Sequence, residues 1–338
     1  MKPVIFGLSG LTLTPDEKRF FADVNPAGYI LFKRNIESRS QVRALTDDLR
    51  SAHVNADQPI LIDQEGGRVA RMRPPEWPAF PAGAAFDALY DISPLSAIEA
   101  ARCNAEAIAL TLAEVGINVN AMPMLDVRMN DTHPAIGDRS YGSDPMRVAA
   151  MGRAVLDGLC KGGVVGIVKH MPGQGRAVVD SHHDLPRVTA TQAELAQDLA
   201  PFRALSDAPM GMTGHVVFDE WDKKRPATMS PTIIYDIIRK NIRFDGLLMS
   251  DDLQMSALDG DYADRAVNCI NAGCDIALYC SGDLGEMVAI AAKLPDITDA
   301  ACERLNRAMA TIANKPAIVP ECLAMLIAKR DDLLAAAA

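Results

Sequence analysis

One segment of the sequence, from Leu61 to Arg71, combines two acids, two glycines and two arginines at the end of a short apolar run. Asp63 ends the apolar run, and Arg71 follows eight residues later. A carboxylate can accept hydrogen bonds from two hydroxyl groups, and a guanidinium donates in a planar fork, so this pair could fix the hydroxyls of a sugar. A tight turn closed by a surface salt bridge would use the same residue types, and the segment alone leaves both interpretations open.

A second segment runs through Val168–Gly175 and continues to Asp180–Pro186, with two glycines and a proline shaping the first part. Asp180 and His182 are two residues apart, so a turn could aim the carboxylate at one imidazole nitrogen and leave the other for proton transfer. A metal site and a solvated loop are the competing interpretations. The metal interpretation draws on the acceptable ligands His170, Asp180, His182, His183 and Asp184.

The third segment, Gly246–Met255, is an apolar run that ends in two adjacent acids, Asp251 and Asp252. If the run is a buried strand, one of the two acids points inward at the rim of a pocket. That acid could serve as a carboxylate nucleophile, as glycosidases use. The other acid would cap the following helix.

The elements that must position these residues alternate along the chain. Eight strand–helix units in strict alternation predict a parallel sheet, and eight strands close a (β/α)8 barrel. An open doubly wound sheet is the alternative. No linker divides the chain, so we expect a single domain over residues 1–338 that ends with two extra helices. The predicted strands are 4–8, 28–32, 60–63, 117–121, 164–169, 210–213, 246–250 and 275–278, and the predicted helices are 15–24, 39–53, 95–113, 145–161, 191–205, 231–240, 260–272, 283–293, 298–312 and 319–335.

Polar residues gather where the predicted strands end. In a (β/α)8 barrel the loops that follow the strands surround one pocket, so these groups are expected to meet there. A pocket so dense in hydrogen-bonding partners suits a carbohydrate. The groups concerned are Lys33-Arg34-Asn35, Asp63-Gln64-Glu65, Asp126, Lys169-His170, His215 and Asp251-Asp252.

Composition narrows the class of partner. The 338 residues carry a net charge of −10, which argues against nucleic acid and anionic membranes, because both need a basic face. No apolar run is long enough to span a bilayer, and the N-terminal run is interpreted as a first strand instead of a signal peptide. The seven cysteines lack metal-site spacing and fit free thiols in a reducing compartment.

Taken together, these segments closely resemble glycoside hydrolase family 3, specifically its single-domain bacterial β-N-acetylhexosaminidases of cell-wall recycling. The resemblance covers most of the chain. It rests on six ordered motifs: Leu31–Asn35, Asp63–Val69, Ala135–Tyr141, Lys169-His170 with its Pro-Gly loop, Asp180-Ser181-His182 and Ser250–Met255.

The resemblance implies a role for individual residues. Asp251 would be the nucleophile, His182 the general acid/base and Asp180 its orienting partner. The glycan-binding set would be Asp63, Arg71, Arg139, Lys169 and His170. The use of a histidine departs from the usual pair of carboxylates, but an imidazole with a carboxylate behind it can titrate near neutral pH.

The implied activity is that of a retaining exo-β-N-acetylglucosaminidase. The implied substrate is N-acetylglucosaminyl-1,6-anhydro-N-acetylmuramic acid, with or without its stem peptide. No metal or organic cofactor is implied, and we expect a cytoplasmic monomer. One departure from the family loop concerns Met171 and Gln174, since Gln174 replaces a second histidine and cannot carry a protonic charge.

Three alternatives remain at this point. A phosphorylase would use phosphate in place of water, and a histidine would suit it because a carboxylate would repel the incoming anion. A metal-dependent hydrolase would lose its activity on chelation. A non-catalytic sugar-binding barrel would bind its ligand without turnover.

Overall fold

Short runs of apolar residues form the strands of a closed barrel in the computed structural model, which describes residues 1–51, 58–179, 185–313 and 320–335. In chain order the strands are β1 (Lys2–Gly7), β2 (Pro26–Leu31), β3 (Ile60–Ile62), β4 (Val119–Asn120), β5 (Val165–Met171), β6 (Arg187–Val188), β7 (Met210–Thr213), β8 (Val217–Phe218), β9 (Leu247–Asp252) and β10 (Ile276–Tyr279). The barrel has the order β1-β10-β9-β7-β5-β4-β3-β2, and all of its neighbours pair in parallel.

The prediction of eight barrel strands is confirmed, and the open doubly wound alternative is wrong, because β1 pairs with β10 and closes the sheet. The predicted strand at 117–121 is much shorter in the structure, where it covers only Val119–Asn120. The small parallel sheet formed by β6 and β8 was not predicted. Its two-residue strands are too short to produce an alternation in the sequence.

Helices cover the outside of the barrel. They are α1 (Pro15–Val24), α2 (Arg39–Ser51), α3 (Gly83–Ile92), α4 (Pro94–Glu114), α5 (Pro145–Lys161), α6 (Gln192–Ala204), α7 (Tyr262–Ala272), α8 (Leu284–Lys293), α9 (Asp299–Ala310) and α10 (Pro320–Ala335), with a π-helix at Ile233–Ile242. Asp144 and Thr191 cap α5 and α6 as predicted. Helix α3 was not predicted, and residues 52, 53 and 319 of two predicted helices lie outside the described residues.

One end of the barrel is closed by α9. Leu305, Ala308 and Ile312 belong to the same buried cluster as the inward-facing residues of the strands. Asp275, directly before β10, fixes this end: its Oδ2 accepts a hydrogen bond from Arg239 at 2.7 Å, and its Oδ1 accepts one from Arg304 of α9 at 3.0 Å. The amino ends of the strands are therefore packed against α9.

The loop after β3 is shaped by Gly66 and Gly67, whose φ angles are +102° and +55°. A Cβ at Gly66 would collide with the carbonyl oxygen of Pro81, so the position requires glycine for space as well as for backbone angle. Gln64 ties the loop together, since its Oε1 accepts hydrogen bonds from the backbone N–H groups of Arg71 and Met72 at 2.8 and 3.0 Å.

We predict that Gly66→Ala destabilises the protein by more than about 1 kcal/mol, because alanine at a positive φ is strained and the added methyl group meets the Pro81 carbonyl. Thermal unfolding measures this effect. Gly10→Ala is the matched control, since a Cβ at Gly10 would meet nothing within 4 Å. Equal unfolding temperatures for the two variants would contradict the account of this loop.

Candidate active site

A cavity of about 380 Å³ opens where the barrel strands end. Its floor consists of apolar side chains from the strands, among them Ile30, Met212 and Leu278. Its wall is polar and carries charges of both signs. The charged or titratable lining residues are Asp63, Arg68, Arg71, Arg139, Lys169, His170, Asp251, Asp252 and Cys280.

Lys169 and Asp63 form the centre of the polar wall. The Lys169 ammonium is almost completely buried and lies 3.1 Å from Oδ1 of Asp63. Oδ2 of Asp63 accepts a hydrogen bond from Arg71 at 3.1 Å, and the Arg71 guanidinium stacks over the ring of Phe32. Burial opposes the ionisation of Asp63, but Lys169 and Arg71 outweigh it and hold the pKa of this carboxyl below its usual value.

Glu65 lies behind this wall and binds two of its cations. Both of its oxygens accept hydrogen bonds from the Arg139 guanidinium at 2.8 Å, and Oε1 is 2.7 Å from the Lys169 ammonium. Burial disfavours the carboxylate, but Arg139 and Lys169 hold the pKa of Glu65 well below its ordinary range. The side chain is therefore ionised at neutral pH.

His170 is oriented by Asp126. Nδ1 of His170 is 2.7 Å from Oδ2 of Asp126, and Oδ1 of Asp126 accepts a hydrogen bond from the backbone N–H of Gln174 at 2.6 Å. Because a carboxylate accepts hydrogen bonds, Nδ1 of His170 is the protonated nitrogen, and Nε2 remains for a ligand. The hydrogen bond from Gln174 to Asp126 uses the backbone N–H of Gln174. A glutamine in place of the family's histidine at this position therefore leaves that hydrogen bond intact.

Asp251 and Asp252 end β9 and both line the cavity. Burial opposes the ionisation of Asp251, but the imidazoles of His170 and His215, the backbone N–H of Asp252 at 2.8 Å and the Lys169 ammonium hold its pKa below the usual value. Asp252 behaves oppositely, because burial raises its pKa to about 6. Of the two acids, Asp251 is thus the one that is fully ionised at neutral pH.

His215 lies at the same end of the barrel, completely buried beneath these acids. Its Nε2 donates a hydrogen bond to the Asp252 carbonyl oxygen at 2.9 Å, and its Nδ1 is 2.8 Å from the Thr228 hydroxyl. Burial lowers the pKa of His215, which keeps the ring neutral. This neutral ring supports the backbone that carries Asp251 and Asp252.

Comparison with known proteins identifies the family of the chain. Residues 9–314 match the model of the glycosyl hydrolase family 3 N-terminal domain. The chain belongs to glycosyl hydrolase family 3. A β-hexosaminidase of Bordetella avium is 36% identical to it over 311 residues, which cover 90% of this chain and 84% of that protein. The chain is accordingly a glycoside hydrolase of the β-hexosaminidase type.

Solved structures of NagZ from Neisseria gonorrhoeae share the fold over the full length of this chain and 98% of theirs. The complex with N-trifluoroacetyl-D-glucosamine has a TM-score of 0.86 at 31% identity. The complex with a zinc ion has a TM-score of 0.85 at 30% identity.

The structure brings most of the predicted site residues of this family 3 chain together. Asp63, Arg71, Arg139, Lys169, His170 and Asp251 all line the cavity described above. His182 and Asp180 lie outside the described residues. The sequence also placed His215 among the pocket groups, and the structure corrects this, because His215 is buried beneath the cavity without lining it. The same correction applies to Lys33-Arg34-Asn35 and Gln64, which do not line the cavity either. Asp252 was expected to cap the next helix, but it accepts a hydrogen bond from Gln254 in a turn, and α7 is capped by Asp261.

Two acids that the sequence placed among the pocket groups do not line the cavity themselves, but contact residues that do. Glu65 and Asp126 were recognised only as polar groups near strand ends, whereas the structure pairs Glu65 with Arg139 and Lys169, and Asp126 with His170. The sequence could identify Glu65 and Asp126 as site residues only by their position just after a predicted strand. Their partners lie 44 to 104 residues away in the chain and could not be inferred from spacing.

The described residues contain free thiols but no cluster of metal ligands. No group of three or more His, Cys, Asp or Glu side chains there could hold a metal ion. All seven cysteines are free, and Cys103, Cys269, Cys274 and Cys280 are buried. None of the described helices is long and apolar enough to cross a membrane.

We predict that Asp126→Asn lowers kcat/KM by about 10- to 100-fold. The variant lacks the carboxylate that accepts the hydrogen bond from Nδ1 of His170, and its amide N–H would point toward that nitrogen instead. The ring would then present the opposite tautomer to the cavity. Steady-state kinetics measure the effect. Asp275→Asn removes a buried acid at the closed end of the barrel and serves as the control. Equal kcat/KM values for the two variants would mean that the orientation of His170 does not matter.

Proposed function

We propose that the chain is a retaining exo-β-N-acetylglucosaminidase with Asp251 as its nucleophile. The observation that carries this proposal is the position of Asp251. It opens into the cavity that also presents Asp63, Arg139 and Lys169, and its pKa is held below the usual value by its surroundings. A nucleophilic carboxylate must be ionised before it attacks, whereas the higher pKa of Asp252 makes that acid the poorer candidate.

The reaction would proceed by two displacements at the anomeric carbon. His182, oriented by Asp180, donates a proton to the leaving oxygen while a carboxylate oxygen of Asp251 attacks and forms a glycosyl-enzyme. His182 then accepts a proton from water, whose oxygen attacks the same carbon and releases the Asp251 carboxylate. Two inversions give net retention of configuration.

The shape of the cavity supports exo-action. Apolar residues of the barrel strands, including Ile30, Met212 and Leu278, form its floor, and α9 packs beneath the strands at the other end of the barrel. A pocket with a floor accepts the end of a glycan and leaves no exit for a chain that continues beyond it. Above the floor, the carboxylate of Asp63 and the cations of Arg71, Arg139 and Lys169 suit the hydroxyl groups of one terminal sugar.

The substrate proposed is a cell-wall fragment, N-acetylglucosaminyl-1,6-anhydro-N-acetylmuramic acid with or without its peptide. Support comes from the similarity to a NagZ structure that holds an N-acylated glucosamine analogue. We further propose a single catalytic domain that acts as a monomer in the cytoplasm, where seven free thiols would remain reduced.

We favour hydrolysis over phosphorolysis because of the pairing of charges in the cavity. Arg68, Arg71, Arg139 and Lys169 each pair with a carboxylate, so the described lining residues offer no unpaired cation for an incoming phosphate. Turnover in phosphate and non-phosphate buffers, with analysis for sugar 1-phosphate, separates the two reactions. Chelation separates both from a metal-dependent hydrolysis.

We predict that Asp251→Ala abolishes turnover while N-acetylglucosamine still binds, because the role of this carboxylate is covalent. A slow fluorinated substrate should trap the intermediate, and peptide mapping should find the label on Asp251. Asp252→Ala is the matched control and should retain measurable turnover. A label on Asp252 or on Asp63 would show that the nucleophile has been assigned to the wrong carboxylate.

We predict that His182→Ala slows substrates with poor leaving groups by about 10²- to 10⁴-fold, the usual contribution of general acid catalysis. Activated aryl glycosides should be affected much less in the glycosylation step, since their leaving groups depart as stable anions. Asp180→Ala should show a weaker form of the same pattern. Pre-steady-state rates across a series of leaving groups measure it.

The neighbouring His183 provides the control for this experiment. If His183→Ala shows the dependence on leaving group and His182→Ala does not, the acid/base assignment is wrong by one residue. If neither variant shows it, the proton comes from another group.

A further inference from the structure

Glu65 is a buried acid that the proposed chemistry does not use. Its side chain is only 8% exposed, and it is absent from the residues that line the cavity. The two cations that it binds, Arg139 and Lys169, do line the cavity. Glu65 therefore contacts the glycan-facing wall from behind.

The geometry around Glu65 fixes both cations at once. The Arg139 guanidinium donates Nε–H to Oε2 and Nη2–H to Oε1, each at 2.8 Å, which sets the plane as well as the position of the group. The Lys169 ammonium lies 2.7 Å from Oε1 and 3.1 Å from Oδ1 of Asp63, so it is held between two carboxylates. A lysine side chain has many rotamers, and two anchors select one of them.

We propose that Glu65 is the positioning residue that places Arg139 and Lys169 for binding of the terminal sugar, without touching the sugar itself. The proposal rests on the proposed function, since it takes Arg139 and Lys169 to be glycan-binding groups. It assigns to Glu65 an effect on substrate affinity in addition to the effect on stability that any buried ion pair has.

Charge gives the proposal a second consequence. Four charged groups surround the Lys169 ammonium. Asp63 and Glu65 lie on the segment after β3, Arg139 lies in the turn at Gly137–Arg139, and Asp251 lies on β9. Burial lowers the pKa of Lys169, and Glu65 is the strongest of the groups that raise it above its usual value. Removal of the Glu65 charge must therefore lower this pKa. Affinity that depends on the ammonium is then lost at a lower pH than in the wild-type protein.

The chain offers a matched control in Asp275. This acid is also buried and also pairs with two cations, Arg239 and Arg304, but it lies at the closed end of the barrel. A variant at Asp275 should lower stability without any effect on the site. The pair Glu65→Gln and Asp275→Asn thus compares loss of the same kind of contact at the two ends of one barrel.

The experiment measures kcat, KM, the dissociation constant of N-acetylglucosamine and the unfolding temperature for the wild-type protein and both variants from pH 5 to above pH 10. For Glu65→Gln we expect KM and the dissociation constant to rise by about 10- to 100-fold, with a smaller change in kcat, from the loss of charged hydrogen bonds. We also expect the alkaline limb of N-acetylglucosamine affinity, the pH above which the dissociation constant rises, to move to lower pH. Asp275→Asn should change only the unfolding temperature.

Glu65→Asp is a second variant that retains the charge but shortens the side chain. It should keep the alkaline limb of the wild-type protein and still raise KM, and it carries the test if the glutamine variant does not fold. The proposal is overturned if KM and the alkaline limb stay at wild-type values in the folded variant. Lys169→Met separates this failure from that of the proposed function, because an unchanged KM there would mean that Lys169 does not bind the glycan at all.

Discussion

A buried ammonium group is the constraint on which the arrangement of the site depends. Lys169 is almost fully removed from water, so its charge must be compensated by carboxylates within hydrogen-bonding distance, and Asp63 and Glu65 supply them. Removal of one partner from such a buried pair costs about 3–5 kcal/mol. The same two carboxylates hold Arg71 and Arg139, so two acids fix three cations relative to the nucleophile candidate on β9.

The barrel makes this compensation possible because it brings separate strands to one place. Asp63 follows β3, Lys169 lies on β5 and Asp251 on β9, and all three meet where parallel strands end. The other end of the barrel is closed by α9 and by the ion pairs of Asp275. Stability and binding are thus divided between the two ends of one sheet, which is why a buried acid at either end can be varied for comparison.

The sequence predicted the fold well because its signals are local. Apolar runs, the cap at Thr191 and the Asp144-Pro145 helix start each lie within a few residues, and eight alternating units determine the closed barrel. The pairing of Glu65 with Arg139 spans 74 residues, and that of Asp126 with His170 spans 44. Such contacts leave no periodic pattern, so the sequence identified the groups but not their partners. Helix α3 was missed because the proline-rich segment at 73–81 precedes it and favours a loop.

The most direct test of the central claim is the configuration of the first product, followed by proton NMR during hydrolysis of a β-N-acetylglucosaminide. A covalent intermediate on Asp251 requires two inversions. The β-anomer of N-acetylglucosamine must then be observed first, with the α-anomer growing only as the sugar mutarotates. Initial release of the α-anomer would show a single displacement by water, and it would contradict the role of Asp251 as nucleophile.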